Sequence, residues 1–81
     1  METITYEEFK DQIKHRGFDV VENEILVKVV NGKWGLANVS KIEQYSLDTD
    51  LVGFRALKYG VIQKDIYDLC SLLAETPLSE R

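Results

Sequence analysis

The dipeptide Asn31-Gly32 constrains this chain more than any other feature. A β-branched apolar run, Ile25-Leu26-Val27-Lys28-Val29-Val30, leads into it, and a second strand-like stretch from Trp34 to Lys41 leads out. Asn and Gly both tolerate positive φ, so the pair turns one strand back onto its neighbour in a very short loop. An antiparallel hairpin therefore sits mid-chain, and the remaining elements must pack on it. Upstream, Phe18-Asp19-Val20-Val21-Glu22 reads as another strand, with Asn23-Glu24 as the turn. Downstream, Gln44-Tyr45-Ser46-Leu47 extends the meander as a short fourth strand or a curled edge.

Helical patterns flank the meander. Thr5-Tyr6-Glu7-Glu8 has the spacing of a capping box, with Ile4 and Phe9 placed as a hydrophobic staple. Tyr6, Phe9 and Ile13 share a helical face; acidic residues open the segment, and Lys14, His15 and Arg16 close it before Gly17. The spacing predicts a helix over 6–16. Asp48-Thr49-Asp50 reads as a second helix start, with Leu51, Phe54 and Leu57 as its stripe. After Tyr59-Gly60, the residues Ile62, Ile66, Leu69 and Leu73 predict a third helix, which Thr76-Pro77 ends. The expected fold class is α+β, in the order α-β-β-β-α-α. A three- to four-stranded antiparallel sheet with helices packed on one face then forms a single domain over 1–81. Phe9, Ile13, Val27, Val29, Phe54, Ile66, Leu69 and Leu73 form the expected core.

Composition excludes several classes. An apolar fraction of 44% with one Pro and five Gly is that of a globular chain without low-complexity tracts. No apolar run approaches the ~20 residues of a membrane span. The opening Met1-Glu2-Thr3-Ile4 lacks a basic and then apolar leader, and the lone Cys70 has no internal disulfide partner. The expected setting is a reducing, cytoplasmic one. A pI of about 4.9 argues against direct nucleic-acid binding.

Catalytic and cofactor chemistry is not expected. His15 closes a helix beside two cations, and Cys70 lies in an apolar helical stripe, so neither has a companion for nucleophilic work. One His and one Cys do not make a zinc site, and Asp48-x-Asp50 lacks the Gly and Glu that a calcium loop requires. Gly32-Lys33-Trp34-Gly35 is a hairpin tip and not a phosphate loop. Trp34, flanked by strand residues, is expected to anchor the sheet to the helices rather than to mark a binding tip. No metal and no cofactor are expected.

Charge is uneven. Residues 1–50 hold six Lys/Arg against ten Asp/Glu, whereas residues 51–81 hold four of each. The surplus predicts an acidic face for a basic partner. Glu22, Glu24, Glu43, Asp48 and Asp50, on the sheet and its loops, are the expected partner-binding residues.

Three stretches carry a resemblance. Tyr6-Glu7-Glu8-Phe9-Lys10 with Gly17-Phe18-Asp19-Val20 is similar to the opening of many small Firmicutes phage and prophage proteins. Val39-Ser40-Lys41 with Gln44-Tyr45-Ser46-Leu47-Asp48-Thr49 resembles a recurrent segment of the same group. So does the close Ile66-Tyr67-Asp68-Leu69 with Ala74-Glu75-Thr76-Pro77-Leu78-Ser79-Glu80-Arg81. In architecture and charge the chain resembles the small acidic type II anti-CRISPR proteins. Some of these occupy the PAM-reading site of the guide-loaded nuclease, which reads PAM with arginines. The resemblance implies a non-enzymatic, phage-encoded protein that binds and inhibits a host defence protein, most specifically the type II RNA-guided nuclease. A phage accessory interaction or oligomerisation module is the alternative, and no oligomeric state is implied.

Overall fold

Thr5 and Glu8 close the expected capping box. The Thr5 hydroxyl accepts from the Glu8 N–H at 3.1 Å, and the Glu8 carboxylate accepts from the Thr5 N–H at 3.2 Å. Helix α1 follows over Tyr6–His15 and is closed by Gly17 at φ 86°. Ile4, the staple residue, is buried in the same cluster as Phe9 and Ile13. The computed structural model describes residues 2–49 and 60–81. The helix expected after Asp48, its Leu51/Phe54/Leu57 stripe and Asp50 lie outside the described residues.

Four strands form one antiparallel sheet in the order β1-β2-β3-β4: β1 Asp19–Glu22, β2 Leu26–Asn31, β3 Trp34–Ser40 and β4 Leu47–Asp48. The β1–β2 turn is held by the Asn23 side chain, whose Oδ1 accepts from the Ile25 and Leu26 N–H groups at 2.8 and 3.0 Å. The central hairpin is present but turns one residue later than the dipeptide implies. Asn31 stays in the ladder opposite Trp34, and the loop is Gly32-Lys33. Gly32 has φ 61° and Lys33 does not share the positive φ, which is the II′ pattern with Gly at its first central position.

Cross-strand partners share a face, so the register sorts the side chains. Val27 opposes Val39, Val29 opposes Ala37, and all four are fully buried under the helices. The row Val21–Lys28–Asn38–Asp48 points to the other face. A bulge between Val29 and Val30 leaves Leu36 as the extra residue, and Leu36 and Ala37 are buried in succession. Helix α2, Gly60–Glu75, packs on β3, β4 and α1. Its buried stripe is Ile66, Cys70, Leu73 and Ala74. Leu69 is only half-buried and Ile62 is exposed, so the helix is rolled from the expected stripe. Cys70 and Ala74 are small and let α2 approach the sheet closely, leaving Leu69 on the flank. The other expected core residues, Phe9, Ile13, Val27, Val29, Ile66 and Leu73, are fully buried; Phe54 lies outside the described residues.

The end of α2 is tied down at every free carbonyl. Leu72 O accepts from Thr76 Oγ1 at 2.7 Å, and Leu72 O and Leu73 O share the Thr76 N–H. Ala74 O accepts from the Tyr45 N–H at 2.7 Å, and Glu75 O accepts from Gln44 Nε2 at 2.7 Å. Tyr45 takes φ 66° to make that bond, a strained conformation for a residue with a side chain. Arg81, beyond a 3₁₀ turn at Leu78–Glu80, donates to Ser40 O, Thr76 O and Ala74 O at 2.5, 2.9 and 3.0 Å. Its own backbone oxygen accepts from the Tyr6 N–H at the start of α1. The segments 39–49 and 74–81 meet in this cap. Among the described residues no helix is long and apolar enough to cross a membrane.

Candidate functional site

Both helices lie on one face of the sheet, and along them runs a groove made of two adjoining hollows, one walled by α1 carboxylates and one by α2 carboxylates, that meet at Leu69 and Leu72. From α1 come Glu8, Asp11 and Gln12; from α2 come Asp65, Asp68, Leu69, Leu72 and Glu75. On α2 the positions 65, 68, 72 and 75 recur three and four residues apart, which places them on one helical stripe. Glu2 joins them from the segment before α1. The groove consists of two hollows of about 330 and 360 Å³ that share Leu69 and Leu72. These leucines are half-buried: their inner atoms pack against the core and their outer atoms meet solvent.

Six carboxylates therefore surround two leucines. Two are compensated by described cations. Arg16 donates to both Asp65 oxygens, and it also bonds Gln12 O at 2.8 Å and Gln12 Oε1 at 2.9 Å, strapping the end of α1 to α2. Lys64 donates to Asp68 at 2.9 Å one turn along the helix, and the Asp68 carboxylate raises the lysine pKa. Glu8 is engaged by the Thr5 N–H in the capping box. Glu2, Asp11 and Glu75 form no ion pair with any described cation. Among the described residues the groove is net negative, with an apolar floor.

The residues expected from the sequence are distributed differently. Glu22 opposes Val27 and leans to the helix side, where it accepts from Lys10 and, at 3.3 Å, from Lys41. Those hydrogen bonds, Lys10 first, hold its carboxyl below the usual range. Glu24 is exposed in the β1–β2 turn. Glu43 and Asp48 come together around a separate hollow of about 280 Å³ on the open face, with Ile25, Ile42 and Asn38. Asp50 lies outside the described residues. Glu22 and Asp48 thus sit on opposite sides of the sheet, and the five do not share one surface. The groove set was hidden in the charge count because Arg81, tallied against the C-terminal carboxylates, is turned onto backbone carbonyls. Its signal was the three- and four-residue spacing of Asp65, Asp68 and Glu75 around Leu72.

No family model, curated protein or solved structure matches this chain. The chemistry must be read from the residues themselves. Cys70 is fully buried, and desolvation pushes its thiol up to about 12. It packs in the core, where burial disfavours the thiolate. His15 is exposed at the end of α1. Among the described residues no three His, Cys, Asp or Glu side chains are grouped to hold a metal ion. Trp34 corrects an expectation. It does not anchor the sheet to the helices but stands 52% exposed at the hairpin tip, with Lys33 Nζ 5.8 Å from its ring centroid. It sits at the end of the ladder opposite Asn31, past the bulge.

Proposed function

We propose that this chain is a non-enzymatic protein-binding module that engages a basic surface of a host defence protein through the groove between α1 and α2. Its most specific form is that of a phage-encoded inhibitor of a type II RNA-guided nuclease. The observation that carries the reading is the groove itself, with five carboxylates from the two helices and Glu2 from the segment before α1 around Leu69 and Leu72. Clustered like charge is costly to keep in one place and favours a cationic surface that relieves it. A nuclease that reads PAM with arginines offers such a surface.

The test is capture of the protein on immobilised guide-loaded type II nuclease, across a salt series, with and without PAM-containing DNA bound beforehand. The native protein binds, binding weakens as salt rises, and bound DNA blocks it. The triple variant Asp11→Asn/Asp68→Asn/Glu75→Gln loses about tenfold in affinity, since three exposed charge contacts at about 0.5 kcal/mol each amount to one decade. Absence of binding to any such nuclease overturns the nuclease reading. Binding unaffected by salt and by the triple variant overturns the groove as its surface.

A further inference from the structure

The groove has a floor as well as walls, and the floor narrows what fits. A surface that met its partner through charge alone would need no apolar ridge, yet Leu69 and Leu72 run along the shared centre of both hollows. Their flanking residues are acidic on the α1 side, at Glu8 and Asp11, and on the α2 side, at Asp65, Asp68 and Glu75. An occupant must therefore present an apolar line bordered on both sides by cations.

The backbone chemistry of the walls selects its conformation. An extended peptide joins a protein by adding to a sheet edge, where unpaired N–H and C=O groups receive it. Among the described residues the sheet edges are β1 and β4, and neither lines the groove. The groove is walled by α1 and α2, whose mid-helix amides and carbonyls are spent on their own hydrogen bonds. A helix, whose backbone bonds are internal, can lie against such walls without asking them for partners. Two helices side by side also leave the furrow into which the ridge of a third helix packs.

Resting on the binding reading above, we propose that this groove receives an amphipathic basic helix of the partner protein. Its apolar stripe lies on Leu69 and Leu72, and its lysines or arginines face Asp11, Asp68 and Glu75. The charge complementarity commits the site to a cationic helix. A second copy of this chain, at net −4, does not supply one.

The probe is a synthetic peptide of about four helical turns made of leucine and lysine, with leucines at i, i+3, i+4 and i+7. A scramble of the same composition with no continuous apolar face is the control, and a leucine/glutamate peptide of the same pattern is the charge control. Affinity is read by fluorescence anisotropy, and the contact by the NMR shifts of the Leu69 and Leu72 methyl groups. The patterned cationic peptide binds about tenfold or more tighter than its scramble and moves those methyl signals; the acidic peptide does not bind. Leu69→Gln weakens the patterned peptide selectively. Asp11→Asn/Asp68→Asn/Glu75→Gln, a surface variant that leaves the core intact, weakens it by about tenfold. Equal binding of pattern and scramble, or shifts confined to the open face of the sheet, overturns the helical occupant. No nuclease enters this experiment, so its failure is distinguishable from failure of the nuclease capture.

Discussion

Thr76 is fully buried among apolar neighbours, and its hydroxyl makes two bonds that span the chain. It accepts from the Ile4 N–H at 3.1 Å and donates to Leu72 O at 2.7 Å, joining the segment before α1 to the end of α2. Thr76→Val keeps the shape and removes both. The Ile4 N–H is then left buried without an acceptor, so urea unfolding should show a loss of about 1–3 kcal/mol. An unchanged midpoint would mean that water reaches that amide. Cys70 makes a second residue-scale prediction. Its thiol is held up to about 12 by desolvation, against an ordinary value of 9.0. The folded state therefore favours the neutral form. Stability is unaffected below pH 9 and falls as pH rises from 9 toward 12, where the unfolded chain ionises and the folded chain does not. In native buffer at pH 8 a thiol reagent should label Cys70 only as fast as the protein opens, and immediately in denaturant. Immediate labelling of the native protein would place the thiol at the surface.

At the scale of elements, those with local signals were legible in the sequence. The Thr5/Glu8 box marks the start of α1, and an Asn23 turn and a glycine-led hairpin join the first three strands. What was not legible depended on packing. The bulge that buries Leu36 and Ala37 together breaks the two-residue period, and no turn residue announces it. The roll of α2 is set by how near Cys70 and Ala74 let it come to β3 and β4, which apolar spacing alone does not encode. The roll has an energetic consequence. Leu73→Ala opens a cavity in the sealed interior and should cost about 2–5 kcal/mol. Leu69→Ala removes a side chain already partly in water and should cost no more than about 1–2 kcal/mol. Melting curves of the two variants decide this, and an equal or larger loss at Leu69 would contradict the observed roll. The strained Tyr45 belongs to the same scale, since its left-handed turn brings the β3–β4 connection onto the last carbonyls of α2.

For the whole molecule, the sequence showed that carboxylates were in excess but not where they gather. A tally by halves kept Glu8 and Asp11 apart from Asp65, Asp68 and Glu75, and only the packing of α1 beside α2 unites them. The same tally favoured Glu22, which the fold spends on Lys10 and Lys41 to hold β1 against α1 and the end of β3. Binding to a cationic protein remains the proposed use of this charge distribution. The most direct test places a photoreactive benzophenone side chain at Gln12, on the wall of the groove, or at Val21, on the open face of the sheet, and irradiates each with guide-loaded type II nuclease. The account predicts a crosslinked product from Gln12 and none from Val21; a product from Val21 alone, or from neither position, would contradict it.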